Sequence, residues 1–259
     1  MSETYIRIDA SRDIATITIA RPDKRNALTD PMRAALLRTV TAAAADPRTR
    51  AVVLTGGGRA FCAGGDIAVL ADLKRRGNEA EFERLLDEGR EIVRLLRTMP
   101  KPTIAMVNGP AYGAGCFLAI ACDLRLCGES ASFGVPLVKL GLGPEWGGTF
   151  LLPRLIGPAR TLEMLYTGEP IDAHEALRLG LANRVWPDAE LAAHTQAFVA
   201  RLLEKPPAVL SRLKQAVGAT MDLSYDETAV LERRRQMENF ASPDCAEGIA
   251  AFLEKRPAR

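Results

Sequence analysis

The sequence predicts an α/β body followed by a helical C-terminal appendage, and three observations lead there. Short apolar strands are twice followed by a glycine-rich turn and then a helix, at residues 51–54 with Gly56-Gly57-Gly58 and at residues 103–107 with Gly113-Ala114-Gly115. Beyond Pro187 the patterning is wholly helical. The turns between segments are short, with no flexible linker or low-complexity tract.

A chain of 259 residues suits one large domain or a main domain with a smaller appendage, and can bury a sizeable core. Hydrophobic residues at 47% and charged residues at 25% exclude the disordered, collagen-like and membrane-spanning classes. The net charge of +2, from 34 basic and 32 acidic side chains, gives no field that argues for a nucleic-acid partner. The N-terminus lacks a basic stretch followed by an apolar one, so no secretory signal is expected. No apolar run reaches the about 18 residues of a membrane helix. Cys62, Cys116, Cys122, Cys127 and Cys245 are irregularly spaced without a CxxC pair, which fits a reducing cytoplasm better than a disulfide framework. With only His174 and His194 present, zinc sites and histidine-dependent triads are poorly supplied, and no metal is expected.

In chain order, alternation at residues 5–8 and 14–19 around the turn-like Ala10-Ser11-Arg12-Asp13 predicts an antiparallel hairpin. Thr29-Asp30-Pro31 reads as an N-cap with proline in the first turn, opening an amphipathic helix through Val40. Residues 51–54 form a buried strand, and Asp66 caps the helix after the first glycine turn. Asp72, Glu79, Glu81 and Glu83 belong to a polar stretch read as a solvated face or a lid. The strand at 103–107 leads through Asn108-Gly109-Pro110 to an apolar helix at 116–121. Asp172-Ala173-His174-Glu175 has capping-box spacing, with Gly180 as the stop. Ser224 with Glu227, and Ser242-Pro243, start later helices.

Glycine turns between strand and helix often bind phosphate. Here Gly56-Gly57-Gly58-Arg59 lacks the P-loop Gly-Lys-Ser/Thr, and Leu118 stands where GxGxxG needs its third small residue. Two readings remain. The glycines permit tight turns and close packing, which spacing alone favours. Alternatively the two turns face each other and present backbone N–H groups at helix N-termini as an oxyanion hole.

Phe61-Cys62-Ala63-Gly64-Gly65-Asp66-Ile67, then Lys101-Pro102-Thr103-Ile104-Ala105-Met106-Val107-Asn108-Gly109 with Gly113-Ala114-Gly115, resembles the paired signature of the crotonase superfamily. Leu140-Gly141-Leu142, Gly147-Gly148-Thr149, Thr167-Gly168 and Ala251-Phe252-Leu253-Glu254-Lys255 continue it in order, so the resemblance covers about residues 14–255. It implies a spiral of repeated β-β-α units over residues 1–200, a helical trimerisation region over residues 201–259, and acyl-CoA substrates. It places the oxyanion donors at the N–H groups of Gly65 and Ala114. Lys24, Arg25, Ala63 and Ile67 would lie near the CoA, with Phe252 and Lys255 reaching it from a neighbouring subunit in a trimer or a dimer of trimers. Coenzyme A is then part of the substrate, and no separate cofactor is implied.

Hydratases of this family use two glutamates, whose positions match Phe117 and Leu137 here. Neither side chain can move a proton, so that dyad is absent. Glu145, in Leu140-Gly141-Leu142-Gly143-Pro144-Glu145-Trp146-Gly147-Gly148-Thr149, is the remaining nearby acid. Members resembling ring-1,2-epoxyphenylacetyl-CoA isomerase and some enoyl-CoA isomerases carry a lone carboxylate in this turn. Phe117, Leu137, Leu142 and Trp146 would form a dry pocket that raises the proton affinity of Glu145. The expected activity is double-bond migration in an enoyl-CoA; hydration of a 2-enoyl-CoA and acyl-CoA binding without chemistry are the alternatives.

Overall fold

The computed structural model describes residues 5–11 and 13–257. The sequence-predicted hairpin forms as β1 (Ile6–Ser11) against antiparallel β2 (Ile14–Ile19), with Ala10 and Ser11, expected in the turn, paired in the ladder instead; Arg12 lies outside the described residues. Along β2 every second residue is buried, as its alternating sequence requires. After α1 (Asp30–Ala45), β3 (Ala51–Gly56) adds parallel to β2 with all six residues buried. That is the behaviour of a continuous apolar run in a sheet covered on both faces.

The polar stretch read as a solvated face or a lid lies on two ordered helices, α2 (Ile67–Arg76) and α3 (Glu79–Thr98). The acids do face water, but Leu85, Gly89, Ile92, Val93 and Leu96 recur on the opposite side of α3 and are buried, the last three in the core. From there the chain repeats one move. It lays β4 (Thr103–Val107) in the larger sheet, β5 (Pro110–Tyr112) in a smaller one, then α4 (Ala114–Ala121). It does so again with β6 (Leu124–Gly128), β7 (Ser132–Gly134), a short turn of tight helix over Pro136–Leu140, and α5 (Gly148–Thr167). A last round brings β8 (Ile171–Asp172), α6 (Ala173–Arg178) and β9 (Arg184–Trp186). The larger sheet runs β1-β2-β3-β4-β6-β9 and the smaller β5-β7-β8. This is the β-β-α spiral that the resemblance implies.

Four helices follow: α7 (Leu191–Leu203), α8 (Pro207–Ala219), α9 (Tyr225–Phe240) and α10 (Pro243–Leu253). α7 crosses residue 200 and belongs to the body, because Leu191 and Val199 pack with Val53, Ile104 and Leu126 of the sheet. α8 and α9 bury no residue, and they display Leu213, Val217, Val230, Met237 and Phe240 to solvent. α8 is pinned to the body by Lys214, whose Nζ donates to the Leu96 and Lys101 carbonyls and pairs with Asp123 at 2.9 Å. The capping box of Ser224 and Glu227 forms in full. At α6 only half of it does: Asp172 accepts from the Glu175 N–H, while the Glu175 carboxylate turns to Arg178.

Candidate active site

The first glycine turn is held from two sides. The Leu28 N–H donates to the Gly64 carbonyl and the Asp66 N–H to the Leu28 carbonyl, while the Ala63 N–H donates to Arg25. On the other side Phe61 and Cys62 donate to the Pro110 carbonyl, and Tyr112 donates back to Cys62. The second turn is therefore laid directly along the first. Gly64, at φ 97°, approaches so closely that a Cβ there would lie 2.8 Å from the Tyr112 oxygen and 3.4 Å from the Ala114 nitrogen. Gly115 sits against the Cys62 carbonyl, where a Cβ would fall at 2.0 Å. The glycines thus permit close packing of the two turns, and that packing brings the start of α4 against the first turn.

Neither the Gly65 nor the Ala114 N–H donates to a protein acceptor among the described residues. Gly65 immediately precedes Asp66, the N-cap of α2, and Ala114 opens α4, so both lie at helix starts, where positive partial charge collects. Both border one cavity of about 350 Å³ together with Glu145. Ala63, Ile67, Leu137 and Trp146 also border it, and Leu28, Phe82, Leu85 and Leu86 complete a largely apolar wall. An adjoining space of about 720 Å³ shares Ile67, Leu70, Phe82, Leu140 and Leu142.

Glu145 is placed by an unusual turn just before α5. Trp146 has φ 51° and Gly147 φ 81°, and the Gly148 N–H closes the turn on the Glu145 carbonyl at 2.9 Å. Left-handed backbone at a bulky residue costs of order 1–3 kcal/mol and persists only where packing enforces it. Trp146 is 4% exposed. Although Glu145 as a whole is half-buried, its Oε2 is shut off from solvent and has no hydrogen-bond partner among the described residues. Burial pushes its proton affinity up to a pKa of about 8, against the opposing charge of Arg33 and the Trp146 backbone N–H.

A second carboxylate, Asp66, also borders the cavity. It caps α2 through the Ala68 N–H and pairs with Arg21 at 2.6 Å, which holds its pKa below the ordinary range. Two acids on one cavity wall thus have opposite tendencies, Asp66 held below the usual carboxylate range by Arg21 and Glu145 pushed above it by burial.

Phe117 does not line the cavity, contrary to the sequence reading. It is fully buried behind the wall, with its ring on the backbone of Gly148 where a Cβ would fall 2.3 Å from Cε1. Leu137 and Leu142 do reach the cavity. Lys24 and Arg25 are exposed beside the first turn, outside the lining; Arg25 is held through its backbone, its N–H donating to the Pro22 carbonyl and its carbonyl accepting from Ala63. Phe252 and Lys255 are exposed at the end of α10 and contribute nothing to this chain's own cavity. Sequence reading missed Arg33 and the α3 side chains. An arginine beside Met32 and Leu36 on the buried face of α1 was the available signal. Among the described residues no cluster of three or more potential ligands could hold a metal ion.

Residues 9–259 match the model of the family described as enoyl-CoA hydratase/isomerase. The chain belongs to that family. Its members act on acyl-CoA thioesters. Among similar proteins are a crotonyl-CoA hydratase of Syntrophomonas wolfei, 38% identical over 100% of this chain and 98% of its own length. A 1,2-epoxyphenylacetyl-CoA isomerase of Escherichia coli is 34% identical over 97% and 96%. The crystal structure of an enoyl-CoA hydratase from Bacillus anthracis superposes with a TM-score of 0.93 at 32% identity, covering 98% of each chain. Both activities in the family name occur among these relatives.

Proposed function

We propose that this member of the enoyl-CoA hydratase/isomerase family is an enoyl-CoA isomerase with Glu145 as its single acid/base. The supporting observation is that Glu145 is the one carboxylate of the cavity wall with a raised proton affinity, while the two hydratase positions hold Phe117 and Leu137. The Gly65 and Ala114 N–H groups polarise the thioester carbonyl. The Glu145 carboxylate takes a proton from C2 of a 3-enoyl thioester, and the C2–H electrons move into the carbonyl as the oxygen becomes anionic. The two amides stabilise that oxyanion, each worth about 3 kcal/mol by comparison with such donors elsewhere. Glu145 then returns the proton to C4 as the double bond moves from C3–C4 to C2–C3. One carboxylate serves both carbons because it ends the cycle as it began.

This reaction needs no cofactor beyond the coenzyme A of the substrate. Its setting is proposed to be the cytoplasm, in keeping with five unpaired cysteines and no membrane-crossing helix among the described residues. The apolar side chains displayed by α8 and α9 favour assembly as a trimer or dimer of trimers, with Phe252 and Lys255 offered to a neighbour. Hydration by Glu145 and a bound water is the second reading, favoured by the hydratase names among the relatives. Turnover of cis-3- and trans-2-enoyl-CoA tests both. Migration without hydration supports the isomerase, hydration of the 2-enoyl thioester overturns it, and binding without either reduces the chain to a binding protein.

A further inference from the structure

The cavity beside Glu145 has an apolar wall interrupted by an arginine. Arg33, on α1, is 1% exposed and borders the cavity. Its Nε donates to Glu88 Oε2 at 3.0 Å and its Nη2 to Asp30 Oδ1 at 2.8 Å. These bonds hold two corners of the planar guanidinium, and the third, Nη1, has no acceptor among the described residues. Joining α1 to α3 does not call for such a group. Met32, Leu36 and Val40 already bury the same helix, and a buried ion pair seldom outperforms apolar packing.

A simple hydrocarbon chain filling this cavity would leave Nη1 without an acceptor, which a polar site penalises strongly. An oxygen on the chain would repay that loss. The surroundings also indicate its charge. Asp30, Glu81 and Glu88 face Arg33 and Arg84 in one linked set of ion pairs, so the acids already outnumber the bases before Glu145 is counted. A second anion is disfavoured there.

We propose that Arg33 is a specificity-determining residue, and that the acyl group taken by this cavity carries an uncharged oxygen acceptor, a hydroxyl or keto group, to which Nη1 donates. The proposal rests on the cavity being the acyl site, and is independent of whether migration or hydration follows.

Binding of saturated acyl-CoA thioesters tests it without turnover. Three series of graded chain length, with methyl, hydroxyl and carboxylate ends, are titrated calorimetrically into the wild type, Arg33→Met and Arg33→Lys. At the favourable length the hydroxyl series should bind about tenfold more tightly than the methyl series, as expected for a hydrogen bond from a charged donor. The carboxylate series should bind less tightly than the hydroxyl one. Arg33→Met should erase the hydroxyl advantage while leaving methyl-ended chains as tight or tighter, and Arg33→Lys should keep part of it. The proposal is overturned if no hydroxyl chain outbinds its methyl counterpart on the wild type, or if Arg33→Met retains the advantage. Should Arg33→Met fail to fold, the wild type and Arg33→Lys decide. Absence of binding by every thioester would overturn the acyl-CoA reading itself, whereas binding without discrimination would overturn only the role of Arg33.

Discussion

Trp146 lays its indole on the backbone of Gly89, so closely that a Cβ at Gly89 would fall 1.6 Å from Cε2. α3 thereby holds the left-handed turn that carries Glu145. Gly89→Ala should push the indole away and release that turn. We expect a cost of about 1–3 kcal/mol in stability, typical of overpacking, and a larger proportional loss in kcat. Unfolding curves and tryptophan emission, read beside turnover of a 3-enoyl-CoA, check this; unchanged emission with unchanged kcat would refute it.

Glu145→Gln keeps the shape of the turn and removes the transferable proton. Double-bond migration should fall by about 10²–10⁴, the usual contribution of a positioned acid/base. Affinity for a saturated acyl-CoA should be nearly unchanged, since the amides of Gly65 and Ala114 remain. Parallel kinetic and binding measurements separate the two effects.

The pH dependence has a definite sign. Proton abstraction needs the ionised carboxylate, so kcat/KM should climb as pH rises through about 8 and level off above it. Stability should move the other way. Folding raises this pKa from 4.5 to about 8, so the folded chain binds more protons within that window. The contribution of Glu145 is therefore full below the lower value and is lost as pH rises toward the upper one. Denaturant titrations across this range should show a flatter profile for Glu145→Gln than for the wild type.

Gly64→Ala tests the junction of the two turns. At φ 97° and 2.8 Å from the Tyr112 oxygen, an added methyl strains the first turn and drives it from the second. Loss of one aligned donor costs about 10²–10³ in kcat elsewhere. A similar fall, with the far-ultraviolet dichroism retained, is the expected result.

Placing glutamate at the two hydratase positions should have unequal consequences. Leu137 borders the cavity, so Leu137→Glu should fold. Phe117 is fully buried on Gly148, and Phe117→Glu would lose the ring and bury a charge. A loss of at least about 3 kcal/mol is expected, on the scale of removing a core phenylalanine. Melting temperatures of the two variants check the contrast.

Much of this molecule was legible along the chain. The hairpin, the strands at residues 51–54 and 103–107, the caps at Asp66, Ser224 and Ser242 and the stop at Gly180 all occupy their expected places. Their signals are local: alternation, a side-chain oxygen before a helix, a residue without a Cβ. β5, β7, β8 and β9 went unseen, because strands of two or three residues carry too little periodicity to stand out. The acids of α3 are solvated as read, but its buried stripe from Leu85 to Leu96 is hidden among conspicuous charges and shows only at helical spacing.

By itself the sequence determined the local grammar of strand, small-residue turn and helix, and the lone acid ahead of Gly147-Gly148. Tertiary structure decided that Phe117 stands behind the cavity wall, that Arg33 borders it, and that Asp66 is held below and Glu145 above the usual carboxylate range. The physical reason is that turns and caps depend on neighbours in the chain. Burial, and with it the proton affinity of a carboxylate, depends on which distant segments exclude water from it.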